Sequence, residues 1–408
     1  MPLKASAPVI VMKFGGTSIA DAIGRAAIAQ RVSAALESSK SPVVVVSAMG
    51  RAGAPYATDT LLELVDGLPG ELAESDWLMA TGEIISAIVC AHELRSIGVD
   101  ARAFTGADAG IITDGKHGSS AIVEIRTERL VDAIAHGQVP VVAGFQGVSV
   151  DGRMTTLGRG GSDTTACALG VALEAESVEI YTDVDGVATA DPRVCSGAET
   201  LEVITADELF QMARHGSRVV HTPAAQLALA SGLAVRVRNT FSDHPGTLVA
   251  NIASYRPEKV ATAISHSTGV VRISVSLPAP EGTPAHMSSQ AQVYRAMADA
   301  SVSLDMFTPV GDTLVFSVGQ GSLDSACAVL GGLGLPYEVR EGLAKVTLVG
   351  AGMHGVPGVM ATMAEALAGA CVTVLQTSDS HTTISVLICA EDTDAAIEAL
   401  HSRFELGS

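Results

Sequence analysis

Between residues 9 and 250, short apolar runs alternate with stretches of helical periodicity. This alternation restricts the fold more than any other feature of the chain. Runs 9–12, 43–46, 139–142, 178–181 and 234–237 read as buried strands, and 19–36, 60–65, 83–94, 127–135, 164–173 and 223–230 as helices. Parallel strands need crossover connections, and helical crossovers cover both sheet faces, so the pattern predicts an α/β fold with a mainly parallel sheet sandwiched by helices. In open sheets of this kind ligands bind beyond the carboxyl ends of the strands.

The segments found there are rich in glycine and hydroxyls. The first run leads into Lys13-Phe14-Gly15-Gly16-Thr17-Ser18, a strand, glycine turn and helix order that can cradle phosphate with backbone N–H groups. Lys13 supplies a compact mobile charge at the strand end. Thr156-Leu157-Gly158-Arg159-Gly160-Gly161-Ser162-Asp163-Thr164-Thr165 packs three glycines, one guanidinium, one carboxylate and four hydroxyls into ten residues. Arg159 suits a bidentate clamp on a carboxylate or phosphate, and Asp163 can orient Lys13, cap the following helix, or do both. A third segment, Tyr181-Thr182-Asp183-Val184-Asp185-Gly186-Val187-Ala188, continues to Asp191-Pro192-Arg193.

These three segments, in this order, closely resemble aspartate kinases of the amino-acid kinase family. Val46-Ser47-Ala48-Met49-Gly50, Thr81-Gly82-Glu83, Gly144-Phe145-Gln146-Gly147 and Val235-Arg236-Val237-Arg238 match as well. The resemblance spans essentially all 408 residues, and the stretch from Ser47 to Asp59 looks most like the diaminopimelate-pathway branch. It implies the amino-acid kinase fold and transfer of a phosphoryl group from ATP, accompanied by Mg²⁺, to the β-carboxylate of L-aspartate. The product is 4-phospho-L-aspartate, on the way to lysine, threonine and methionine. Lys13 and Asp163 are then the catalytic pair. Lys13, Phe14, Gly15, Gly16, Ser47, Thr182, Asp183, Arg193 and Arg218 are the ATP positions. Thr17, Ser18, Glu83, Arg159, Gly160, Gly161 and Ser162 are the substrate positions, with Glu83 for the ammonium and Arg159 for a carboxylate. A glutamate opening a helix at 83 can also serve only the helix dipole. Two residues depart from the family pattern: Ala188 stands where many relatives carry an aromatic, and Arg218 replaces a lysine. A kinase of another acidic amino acid, or an effector-binding protein with a weakened kinase domain, are the alternatives.

Gly110-Ile111-Ile112-Thr113-Asp114-Gly115-Lys116-His117 nearly spells a phosphate-binding loop, but His117 replaces the required hydroxyl and no strand leads into Gly110, so it reads as a chance match.

Beyond a turn at 242–246 and a linker at 253–257 the pattern changes. A repeat appears at an offset of 70 residues: Ala300-Ser301-Val302-Ser303-Leu304 against Ala370-Cys371-Val372-Thr373-Val374. Met297 aligns with Leu367, Val293 with Met363, and Leu314, Phe316 and Val318 with Ile384, Val386 and Ile388. Each copy reads as a ferredoxin-like α+β module and resembles the paired ACT domains that bind amino-acid effectors in aspartate kinases. The expected domains are 1–250 for the kinase, with modules at 262–338 and 342–408. Polar loops Asp305-Met306-Phe307-Thr308 and Gln376-Thr377-Ser378-Asp379 are the expected effector lining. Diaminopimelate, lysine and threonine are equally open as effectors, and a homo-oligomer, a dimer through these modules, is expected.

Charge narrows the partners. A net charge of −19 leaves no basic surface for nucleic acid or an anionic membrane. Six cysteines without metal spacing read as reduced thiols in a cytoplasmic protein, no protein-held metal site is expected, and neither a signal peptide nor a membrane-spanning run is read.

Overall fold

The computed structural model describes residues 7–158, 160–217, 231–250, 259–353 and 355–407. Arg159, Arg218 and the helix expected over 223–230 lie outside the described residues. The chain divides into two compact units, one of Met1–Val187, Thr200–Arg214 and Arg218–Arg256, the other of Ala188–Glu199, His215–Ser217 and Pro257–Ser408.

In the first unit the strands are β1 (Val9–Phe14), β2 (Ser41–Val46), β3 (Ala101–Phe104), β4 (Ile111–Thr113), β5 (Ile122–Ile125), β6 (Val139–Ala143), β7 (Gln146–Ser149), β8 (Met154–Thr156), β9 (Ser177–Thr182), β10 (Val203–Thr205), β11 (Val235–Asn239) and β12 (Thr247–Ala250). Among the described residues eight of them form one sheet in the order β10-β12-β11-β9-β1-β2-β6-β3. All neighbours are parallel except β11 and β12, so the expected mainly parallel sheet is present. A second sheet, β5-β4-β7-β8, lies in a stretch the apolar pattern left unassigned, because its strands are three or four residues long.

Strand alternation sorts the side chains of β1. Ile10, Met12 and Phe14 enter a core with Ile28 and Val32 of the helix Ala22–Glu37 and with Ala87, Cys90, Ala91 and Leu94 of the helix Leu72–Ser96. Lys13 is out of phase with these three and faces the other side, where the helix Gly161–Ala172 packs on β1 and β9. The helix expected over 19–36 is broken instead at Asp21, whose carboxylate accepts from Gly24 N at 2.8 Å and caps a new helix. The helix expected over 83–94 begins eleven residues earlier, at Leu72, behind a capping box of Glu71 and Glu74. At 25 residues it is long and apolar enough to cross a bilayer by length and composition, yet one face lies in the protein core and buries Asp76 and Glu83.

The second unit holds β13 (Ala263–Ser276), β14 (Asp305–Val310), β15 (Thr313–Gly319), β16 (Tyr337–Val349), β17 (Gln376–Asp379) and β18 (Thr383–Cys389), in the order β14-β15-β13-β16-β18-β17. The 70-residue repeat is visible residue by residue. Ser301 and Cys371 both turn out of a helix at φ 57° and 59°, and the helices Leu323–Leu333 and Thr393–Arg403 follow matching 3-10 turns. Residues 300–304 are therefore a helix exit.

A cut between modules at 338–342 does not follow the packing. β13 bends at Gly269, φ 67°; its far half, with Val271, Ile273 and Val275, lies in one core, while Ile264 lies in the other with Val346, Leu348, Val386 and Leu400. β16 is shared likewise, its 337–340 part pairing with 272–275 and its 344–349 part with 263–268. The first module is thus inserted into the second, whose outer strand comes from ahead of it in sequence. Sharing β13 and β16 in this way joins both modules in one continuous sheet but leaves no trace in a linear repeat. The core of the second module also takes in Ala190 and Cys195, so residues 188–199 leave the kinase unit although they lie between two of its strands in sequence.

Candidate active site

The glycine turn after β1 is clasped from both sides. Gly15 N donates to Tyr181 O at 3.3 Å, and Gly50 N donates to Gly16 O at 2.9 Å. A Cβ on Gly16 would stand 2.4 Å from Ala48 O and 2.6 Å from Gly50 O, a distance that only glycine avoids. Phe14 stacks on Tyr181 with ring centroids 4.6 Å apart, anchoring the turn from below.

Lys13 Nζ meets Asp163 Oδ1 at 2.6 Å, both side chains about one-tenth exposed. Asp163 sits in the first turn of the helix Gly161–Ala172, whose N-cap is Gly160 in the left-handed region at φ 67° with no side-chain cap. Asp163 is therefore not a helix cap, one of the two roles open from sequence. Gly161 and Gly144 give the close approach that brings this turn in: a Cβ at Gly161 would lie 2.8 Å from the Phe145 ring, and one at Gly144 2.8 Å from Ser162.

Glu83 lies in the middle of the Leu72–Ser96 helix, so the helix-dipole role does not apply. Its carboxylate Oε1 accepts from Ala48 N at 3.1 Å, while Oε2 is buried with no hydrogen bond of good geometry. Burial pushes its carboxyl up to about 8, opposed by the Ala48 N–H, the residue's own backbone and the Thr58 hydroxyl. A buried carboxylate with one open oxygen is the counterpart of an ammonium.

Other expected residues are placed differently. Ser47 opens the loop after β2, and its N–H donates to Phe14 O at 3.2 Å. Thr17 and Ser18 form a single helical turn, Gly16–Ile19. The Ser18 hydroxyl is buried against Thr240 Oγ1 at 2.7 Å and serves the packing of that turn. Thr182 closes a local turn with Val184, and Asp183 pairs with Arg51 at 2.7 Å. Ala188 and Arg193 fall in the second unit, where Arg193 grips Asp191 with Nε at 3.0 Å and a terminal nitrogen at 2.7 Å. Among the described residues no group of three or more His, Cys, Asp or Glu converges on a metal position.

Sequence reasoning missed Asp76. It is fully buried and gathers the loop 116–118 and the end of β8: His117 Nδ1 at 2.7 Å, Gly118 N at 3.0 Å, and the Thr156 hydroxyl at 2.5 Å. The near-match to a phosphate loop is thus a β-hairpin end held by a carboxylate. The available signal was Asp76 standing seven residues ahead of Glu83 in an otherwise apolar helix face.

In the second unit, 305–308 and 376–379 are edge strands, not loops. They are brought together by Gln376, whose amide donates to Met306 O and, at 3.4 Å, to Thr308 Oγ1. Phe307 packs edge-on against Tyr294 at 5.9 Å. Asp305, expected to receive an ammonium, already holds that of Lys345. Thr377, Ser378 and Asp379 pair along β18 and are exposed.

A parallel sheet, a glycine turn at the end of its central strand and a lysine beside it define a phosphoryl-transfer class. The chain belongs to the amino acid kinase family, whose pattern matches residues 8–239, and an ACT domain matches residues 338–402. It is 42% identical over 405 residues to aspartokinase 1 of Bacillus subtilis, covering 98% of this chain and 99% of that protein. The structure of Escherichia coli aspartokinase III with aspartate and ADP, an R-state, is 25% identical with a TM-score of 0.80, covering 97% of this chain and 100% of that one. The T-state of the same enzyme, with lysine and aspartate, is 26% identical with a TM-score of 0.78, covering 97% and 99%.

Proposed function

We propose that the protein is an aspartate kinase, transferring the γ-phosphoryl of ATP to the β-carboxylate of L-aspartate. The observation that carries this reading is the Lys13–Asp163 pair beside the clasped glycine turn, with Glu83 buried on its helix and bonded to the neighbouring loop by Ala48 N. Phosphoryl transfer asks for position and charge stabilisation more than covalent help. Lys13, held by Asp163, meets charge developing on the moving group. With the Gly15 N–H taken up by Tyr181 O, the Gly16 N–H is the backbone donor left for the phosphates, and Glu83 receives the substrate ammonium. Arg159 takes the α-carboxylate, an assignment that rests on the family motif. The nucleophile is a carboxylate already ionised at neutral pH, so the site requires no general base. Magnesium arrives on the ATP phosphates and neutralises charge there.

The ACT modules support amino-acid feedback control. Lysine, the ligand of the E. coli T-state, joins diaminopimelate and threonine as a candidate, acting on a cytoplasmic homodimer that feeds the pathways to those end products. ADP release assayed with aspartate, glutamate, N-acetylglutamate and methylaspartate tests the substrate. Aspartate is expected to be turned over best, and Lys13→Ala to lower kcat by roughly a hundred-fold or more. Turnover of another acid in place of aspartate, or full activity of Lys13→Ala, overturns the reading.

A further inference from the structure

We infer that Arg51 is a phosphate-binding residue that exchanges its partner Asp183 for the phosphate tail of the nucleotide. The inference rests on the kinase reading above and adds a residue to it.

Sheet order places β1 between β9 and β2. Three links join the flanking segments across the β1 end: Gly15 N to Tyr181 O, Gly50 N to Gly16 O, and the ion pair of Arg51 with Asp183 at 2.7 Å. Arg51 follows Gly50 directly and Asp183 lies two residues past Tyr181. The pair therefore closes a ring of contacts around the glycine turn, where the phosphates are proposed to sit.

Charge requires a cation there. In the stretches 15–21, 47–57 and 183–187, Arg51 is the sole lysine or arginine in the sequence, beside Asp21, Asp183 and Asp185. Lys13 is assigned to the moving phosphoryl group, and a nucleoside triphosphate brings several negative charges to a protein of net charge −19, so one lysine leaves most of that charge unmatched. A planar guanidinium is well matched to phosphate.

The present pair is easily exchanged. Arg51 is 74% and Asp183 47% exposed, and ion pairs at such exposure add little to stability. A phosphate oxygen offers the same guanidinium a charge-assisted bond at a more negative partner, so little stands against the switch.

The test compares wild type, Arg51→Ala, Arg51→Gln and Arg51→Lys, measuring KM for ATP and for aspartate, kcat, melting temperature and direct MgADP binding by calorimetry. Loss of a charged hydrogen bond predicts a rise in ATP KM and in the MgADP Kd of roughly ten- to hundred-fold for the Ala and Gln variants. The Lys variant is expected to recover part of it, with aspartate KM within about two-fold of wild type, the latitude of a site whose distant changes add. Unchanged nucleotide affinity overturns the proposal. So does an equal rise in both KM values or a fallen melting temperature with unchanged MgADP Kd, since the pair then only braces two loops. MgADP binding needs no aspartate, so a wild type that binds nucleotide but phosphorylates another acid refutes the substrate and leaves Arg51 standing.

Discussion

Replacing Glu83 with glutamine separates the two consequences of burying a carboxylate. Glutamine is isosteric and its Oε1 can still accept from Ala48 N, so the change removes charge and little else. Burial raises the carboxyl from 4.5 to about 8, and at ~1.4 kcal/mol per pKa unit this costs the ionised native state on the order of 3–5 kcal/mol. The sign follows from proton counting. Below 4.5 the group is protonated in native and unfolded chains alike and contributes nothing. Between 4.5 and 8 the native state binds the extra proton, so wild-type stability falls as pH rises, and above 8 the full penalty is present. Urea unfolding at intervals from pH 5 to pH 9 should show Glu83→Gln gaining on wild type as pH rises, then levelling off near 8. Aspartate binding should move the other way. The wild type must release a proton to meet an ammonium, so its aspartate affinity should fall about ten-fold per pH unit below 8, whereas the variant should bind weakly and with little pH dependence. Parallel stability profiles for the two proteins would refute the burial argument, and aspartate binding unaffected by Glu83→Gln would refute the ammonium role.

Gly16→Ala places a methyl 2.4 Å from Ala48 O; displacement of the loop after β2 should lower stability by about 1–3 kcal/mol and weaken ATP binding, read by urea unfolding and nucleotide calorimetry. Asp76→Asn turns an amide N–H₂ toward the donors that its carboxylate now receives. A loss of about 1–3 kcal/mol in stability should accompany a rise in aspartate KM on the order of ten-fold, because Thr156 begins the glycine segment that carries Asp163. Unchanged aspartate kinetics in that variant would make Asp76 purely structural.

Much of the first unit was legible because its signals are local. Four-residue valine and isoleucine runs specify buried parallel strands, and glycine turns after them specify where ligands approach. Lys13 and Asp163 could be named from their motifs, but whether Asp163 serves Lys13 or caps its helix stayed open until the ion pair was seen. The location of Glu83 was harder: apolar density marked only the second half of its helix, and the acidic first half that caps it at Glu71 carries no hydrophobic periodicity.

Tertiary structure alone decided the rest. Partners far apart in sequence, such as Asp76 with Thr156, Arg51 with Asp183 and Ser18 with Thr240, have no shared local pattern, since hydrogen bonds between side chains depend on distance in space. The 70-residue repeat was readable because equal modules need equal core spacing. Its insertion was not, because Ile264 carries the same β-strand signature whichever core it enters. Which sheet a strand joins is fixed by the neighbours that satisfy its backbone hydrogen bonds. Those neighbours, Val346 and Leu348 for Ile264, come from more than eighty residues down the chain.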